Sequence, residues 1–172
     1  MIVAVVIMKL IVVSDSHGRD QALEDILMKY PNADAYIHCG DIEADASSFP
    51  QFVTVQGNND IFYDYPDHQI LALADHRIYI THSHQFMYSK RIPQLAARAR
   101  EYDCDIVFYG HTHIAADETC DGVRVVNPGS IWRSRDGRGP SYAVVELLEN
   151  GKVDVEFIFL PQKQKKKSKF FW

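Results

Sequence analysis

Residues 9–18 read KLIVVSDSHG, an apolar run that breaks abruptly into serine, aspartate and histidine. A continuous apolar stretch of this length marks a strand buried on both faces, as in a parallel sheet, rather than a half-solvated one. The next segment, RDQALEDILMKY at 19–30, sets Ala22, Leu23, Ile26 and Leu27 at helical spacing and is stopped by Pro31. ADAYIHCGD (33–41) and QFVTVQGN (51–58) are two more short apolar runs, each ending in glycine and polar residues. The pattern is βαβ, with polar residues at the carboxyl ends of strands, where open α/β sheets place their sites.

From residue 67 the rhythm changes. HQILALADHRIYITHSH (68–84) reads as two strands joined at Asp75-His76. QLAARAREYD (94–103) reads as a helix, and CDIVFYGHTH (104–113) as a strand running into a polar loop. AADETCDGVRVVNPGS (115–130) predicts a hairpin about Asp121-Gly122, and SYAVVELLENGKVDVEFIFL (141–160) a longer one about Asn150-Gly151. The second half therefore reads as mostly antiparallel strands. The expected architecture is two sheets packed face to face with helices outside. No internal repeat or second domain is visible: residues 1–160 form one domain and 161–172 a lysine-rich tail.

A chain of 172 residues, 47% hydrophobic and 24% charged, is ordinary for one soluble domain with a full core. The tail carries five lysines and no acid, so the formal charge of −5 leaves −10 on the body. That balance argues against broad nucleic-acid binding by the fold, and the tail reads as a solvated terminus. Cys39, Cys104 and Cys120 are odd in number and form no CxxC pair. They suggest neither a disulfide framework nor a thiolate zinc site, and a reducing cytoplasm is the simplest home. The amino-terminal MIVAVVIMKLIVV contains Lys9 and is shorter than the about 17–25 apolar residues that span a bilayer. It has no basic leader and no cleavage site, so no membrane association is expected. Met8 opens a complete strand and is a second candidate start.

The chemistry-bearing residues come in clusters, each just after an expected strand. They are Asp15 and His17 in SDSHG, Asp41 in CGD, Asn58 in GNND, His82 and His84 in THSH, and His111 and His113 in GHTH. Singly, each is what a turn or helix cap would use. Together they take five of the eight histidines to strand exits. Alternate residues of an extended segment point the same way, so Asp15/His17 and His111/His113 are each expected to converge on one point. A carboxylate and imidazole set without thiolates suits Mn²⁺, Fe or Zn²⁺ better than Mg²⁺. The ligands suffice for two ions only if one carboxylate is shared, and Asp41 is the natural bridge.

The order D-x-H, G-D, G-N-x-D, H, G-H-x-H resembles the calcineurin-like metallophosphoesterases. The short length, SDSHG and NPGS at 127–130 are similar to the small YfcE-type phosphodiesterase branch, over roughly residues 8–160. The resemblance implies a four-layer α/β/β/α sandwich of two mixed sheets flanked by helices, and two divalent ions. Mn²⁺ is the first expectation, with Fe, Zn²⁺ or Ni²⁺ as alternatives. One ion would be held by Asp15, His17, Asp41 and His113, and the other by Asp41, Asn58, His82 and His111. The implied reaction is hydrolysis of small phosphodiesters or nucleotide-type substrates by a hydroxide bridging the ions. Asp41, Asn58, His82 and His84 carry the catalytic roles, His84 either as a donor behind the ligands or as a loop cap.

Asn59 departs from the wider superfamily, where histidine often follows the ligand asparagine and protonates the leaving group; the small branch commonly has cysteine. Asn59, Arg133 and Arg135 are the candidate substrate contacts, the arginines because guanidinium groups suit phosphate. Asp60 is expected to fix its loop through backbone amides. A non-catalytic scaffold, as in the small metallophosphoesterase-like subunit of the eukaryotic retromer, is the alternative, and a recombination-repair type DNA nuclease a weaker one. Nucleic acid is expected only as a degraded substrate, and a homo-oligomer is left open.

Overall fold

Leu10, Ile11, Val12 and Val13 are all fully buried, as a strand covered on both faces requires. They belong to β1 (Val6–Val13), and alternation sends them to two different cores. Leu10 and Val12 face a cluster with Ile78, Ile80, Ile106 and Phe108, whereas Ile11 and Val13 face one with Leu23 and Ile26. The structure, a computed structural model, describes residues 3–162, so the lysine-rich stretch 163–172 lies outside the described residues.

The helix expected after β1 is α1 (Asp20–Lys29), which supplies Leu23 and Ile26. Next come β2 (Ala35–His38) and β3 (Phe52–Thr54), then β4 (His68–Leu73) and β5 (His76–Thr81). A helix, α2 (Arg91–Glu101), leads to β6 (Ile106–Tyr109). The remaining strands are β7 (Ala115–Cys120), β8 (Val123–Pro128), β9 (Ser141–Leu148) and β10 (Val153–Phe159). They form two five-stranded sheets, ordered β10-β9-β1-β2-β3 and β4-β5-β6-β8-β7. One core lies between the sheets, and two others lie under α1 and under α2, where Leu95, Ala96 and Ala99 meet Tyr79 and Val107. This is the expected four-layer sandwich with helices outside.

The second half is mostly antiparallel, as expected: the β4–β5, β7–β8 and β9–β10 pairs all run antiparallel. The exceptions are β5 with β6 and β6 with β8, which run parallel. Helix α2 carries the chain back over the sheet, and such a crossover returns the next strand parallel. The β7–β8 hairpin then places β8 inside, because Val123, Val125 and Val126 are buried while β7 is largely exposed and fit for an edge. The last hairpin leaves this sheet and joins the first, β9 pairing antiparallel with β1. One expectation needs correction: the β4–β5 turn is Ala74-Asp75, since Leu73 pairs with His76.

Parallel pairing of β1 with β2, β2 with β3, β5 with β6 and β6 with β8 brings the polar motifs out at strand ends in both sheets. Phe108 is wholly buried between the sheets. Phe108→Ala should cost about 3–5 kcal/mol, the range for a buried phenylalanine. Its denaturation midpoint should fall well below that of Phe159→Ala, whose side chain is half exposed.

Candidate metal centre

The loops carrying the motifs are not extended. Asp15, His17, Asp41, His111 and His113 all have positive φ, between 46° and 70°. The alternation argument for their convergence therefore fails locally, and left-handed turns bring the side chains together instead. Such conformations cost of order 1 kcal/mol or more each for residues other than glycine and gather where a site demands them. Glycines let the loops approach. A Cβ on Gly57 would overlap the Asp41 amide and carboxylate, and one on Gly110 would overlap Ser14 and Asp15.

Seven side chains meet. Asp15 is fully buried and Asp41 nearly so. Asp15 Oδ1 lies 3.1 Å from His113 Nε2, 3.7 Å from His17 Nε2 and 3.9 Å from His82 Nε2. Asp41 Oδ2 lies 3.7 Å from His17 Nε2 and 3.4 Å from His82 Nε2. Asn58 Oδ1 sits 3.0 Å from both His82 Nε2 and His111 Nδ1. Asp15, His17 and His113 form one group, and Asp15, Asp41 and His82 another, each with ligand atoms within 4.8 Å of one another.

The far sides of these rings fix their tautomers. His17 Nδ1 is 2.9 Å from Glu43 Oε2, His82 Nδ1 is 2.7 Å from the Cys39 carbonyl, and His113 Nδ1 is 2.9 Å from the Arg133 carbonyl. A pure acceptor opposite Nδ1 makes it the N–H and turns the Nε2 lone pair inward. His17 Nε2 and His113 Nε2 then face each other at 3.3 Å, and Asp15 Oδ1 is buried with no hydrogen-bond partner. Converging lone pairs repel unless a cation or proton sits among them. The donor set fits divalent metal ions.

Burial works against ionising Asp15, but the imidazoles of His113, His17 and His82 outweigh it and hold the carboxyl below the usual range. Burial likewise opposes ionisation of Asp41, yet His82 and Asn59 bring it down to about 2. His17 and His82 are raised: burial opposes their charge, and Asp15 and Asp41 more than restore it. His111 is pushed down to about 4 by burial and by the charges of His82 and Arg91. His84 is exposed, its ring 5.5 Å from His82 and 6.3 Å from His111, and burial of its inner side lowers it.

Of the expected substrate contacts, Asn59 is turned inward. Its backbone N–H donates to Asp41 Oδ1 and its side-chain amide to Asp41 Oδ2, both at 2.8 Å. Arg133 presents its carbonyl to His113, while Arg135 Nη1 donates to the His111 carbonyl at 3.1 Å. Asp60 does what its motif suggested, accepting from the amides of Asp41, Glu43 and Gly57.

Three residues were missed. Glu43 orients His17. Trp132 stands edge-on to His17 at 4.9 Å, with Arg19 stacked 4.4 Å from its ring. His38 is buried, accepts from the Gly40 amide and meets Ser16 Oγ at 2.9 Å, and burial pushes it down to about 3. Only Glu43 left a signal, an acid two residues after Asp41 in GDIE.

Residues 8–150 match the calcineurin-like phosphoesterase superfamily domain. The chain belongs to that superfamily. That places it among metal-dependent phosphoester hydrolases. It is 34% identical to the probable metallophosphoesterase YsnB of Bacillus subtilis, over 87% of this chain and 90% of the relative. It is 28% identical to the phosphodiesterase MJ0936 of Methanocaldococcus jannaschii, over 71% of this chain and 83% of that one. A conserved Streptococcus pneumoniae protein, itself a predicted phosphoesterase, superposes with a TM-score of 0.82 at 31% identity. That match covers 88% of this chain and 89% of the other.

The shifted groups set a pH response for the metal-free protein. His111, depressed to about 4, is neutral when folded while the unfolded chain still binds protons, so stability rises with pH up to about 6.5. His17 and His82, raised above 6.5, give stability that is complete below that value and lost as pH rises through their folded values. Asp41 contributes above about 3.9 and fails only as pH falls toward 2. The melting temperature in EDTA should therefore peak near neutrality and fall at higher pH. With saturating Mn²⁺ the alkaline fall should vanish, because metal needs those imidazoles unprotonated. Parallel alkaline slopes with and without metal would contradict the assignment.

Proposed function

We propose that the protein is a phosphodiesterase of small diesters or nucleotide-type substrates, working at a two-ion centre. The observation that carries this reading is the buried, unpartnered Asp15 Oδ1 facing inward-turned imidazole nitrogens. A scaffold gains nothing from burying two carboxylates among convergent lone pairs, so the catalytic reading is preferred to the non-catalytic one. Asp15, His17, Asp41 and His113 would hold one ion, and Asp41, Asn58, His82 and His111 the other. Bound divalent ions supply Lewis acidity, which neutralises phosphate charge and makes water acidic enough to attack at neutral pH. Mn²⁺ is the leading choice, with Fe, Zn²⁺ or Ni²⁺ as alternatives. The free cysteines fit a cytoplasmic setting.

The chain's own groups then divide the remaining tasks. Asp41 reaches both His17 and His82 and is the shared carboxylate. Asn59 holds both oxygens of that carboxylate in place. Its amide has no proton to release at neutral pH, so it cannot serve as an acid to the leaving group. Arg135, tied to the His111 carbonyl, and Arg133, whose backbone positions His113, border the centre and supply guanidinium groups for the phosphate. His84, exposed beside His82 and His111, stands on the open side of the centre, where it can orient substrate or water.

Two measurements test this. Elemental analysis after Mn²⁺ saturation should find two ions per chain and none tightly held by Asp41→Asn; a wild-type maximum of one ion would end the two-ion reading. Asn59→Ala should weaken metal binding about tenfold, as loss of a ligand's hydrogen-bonding support does. Activity should favour bis-p-nitrophenyl phosphate, whose leaving group needs no proton, over alkyl diesters. Asn59→His should speed the alkyl substrates alone, toward the 10²–10⁴-fold range of about one general acid. Equal wild-type rates on both classes, unmoved by histidine, would show that another group supplies the proton.

A further inference from the structure

The amino end of α2 carries positive charge that nothing in the described residues answers. Arg91, the first residue of the helix, is only 8% exposed. It makes no ion pair with any described carboxylate. Its Nε is buried without a hydrogen-bond partner, and Nη2 has only a long 3.5 Å contact to the Phe86 carbonyl. The guanidinium carbon lies 5.9 Å from the ring of Tyr88, in the short turn Tyr88–Lys90 that leads into the helix. The charge is thus aimed back past the helix's amino end.

The helix itself aggravates the imbalance. Lys90 sits at the cap position without a side-chain cap bond, and the first turn contains no acid. Cations belong at the other end of a helix macrodipole, and the amino end attracts anions. A structural arginine buried to this degree normally satisfies its donors with a carboxylate or with carbonyls. Arg91 leaves one donor unmet and keeps its charge uncompensated. Lys90 and Arg91 are consecutive residues at the positive end of the dipole, and the exposed Tyr88 ring lies beside the Arg91 guanidinium.

We propose that Arg91, Lys90 and the amino end of α2 form a second anion site, one that takes a phosphate-class oxyanion. A forked guanidinium with free N–H groups matches phosphate oxygens. The site adjoins the candidate metal centre along the chain, since the loop after His82 and His84 runs through Phe86 into Arg91. The Arg91 charge also bears on His111. The anion has two possible sources: a distal phosphate of the substrate, which rests on the phosphodiesterase reading, or free inorganic phosphate, which does not.

The test starts with EDTA-treated protein, in which no metal can recruit phosphate. Inorganic phosphate, against sodium chloride at matched ionic strength, should raise the wild-type melting temperature. Arg91→Met should melt higher than wild type without phosphate, and isothermal titration should show it losing about tenfold in phosphate affinity. Lys90→Gln, an exposed change safe for folding, should lose about threefold. No phosphate response in wild type, or equal affinity in wild type and both variants, would overturn the proposal. The source is read in Mn²⁺-loaded protein from kcat/KM on diesters with and without a terminal phosphate. A loss in Arg91→Met confined to the phosphate-bearing diester identifies the substrate; unchanged rates on both, with weakened phosphate binding, identify the free anion. If wild type hydrolyses neither diester, the phosphodiesterase reading fails, while the anion site still stands or falls on the EDTA result.

Discussion

Two carboxylates, Asp15 and Asp41, are buried at the ends of neighbouring parallel strands, with ligand atoms within 4.8 Å of each other. Like charges so placed, away from water, are tolerated only beside compensating cations. Much around them reads as a response to that demand. Without metal the two carboxylates raise the proton affinity of His17 and His82, and bound divalent ions would compensate them more completely. The same rings that would ligate ions are locked from behind by Glu43, the Cys39 carbonyl and the Arg133 carbonyl. The centre is therefore organised before any ion arrives.

That organisation is maintained against backbone cost. Five of the seven candidate ligands adopt left-handed conformations, and their loops stay put because other groups over-determine them. Asp60 accepts three backbone amides from the Asp41 loop and its own turn. Asn127 Nδ2 donates to the Gly110 carbonyl and Ser130 Oγ to the Asp15 carbonyl, tying the NPGS segment to both the GHTH and SDSH loops. Here the asparagine pair of GNND divides its labour. Asn58 offers its oxygen to the centre, and Asn59 donates from its backbone and its side chain to the two Asp41 carboxylate oxygens.

Much of this was legible in the residues. Buried runs, helical spacing and the Asp121-Gly122 and Asn150-Gly151 turns give the elements, and polar clusters at strand exits give the centre. Sheet membership was less legible, because a hairpin pattern states that β9 and β10 pair with each other and not which sheet they join. The ligand loops defeated simple alternation, since a left-handed φ at Asp15 or His111 is imposed by tertiary hydrogen bonds rather than by residue type. His38 and Trp132 carry no motif, and only packing shows what they touch. Arg91 reads as one more surface charge in an amphipathic helix until its burial is seen.

The placement of β9 beside β1 has a consequence for how the chain is made. β1 spans Val6–Val13, yet its antiparallel partner is Ser141–Leu148, so one edge of β1 waits for almost the whole domain to be synthesised. Closing so long a loop is entropically slow, and until then an apolar strand leaves the ribosome well before its partner, with amides and carbonyls unpaired along one edge. Such an edge is a template for unwanted strand addition. A nascent chain stalled before residue 141 holds the SDSH loop but has an incomplete first sheet, and it is at this stage, rather than in the finished fold, that the protein is most open to aggregation and to chaperones.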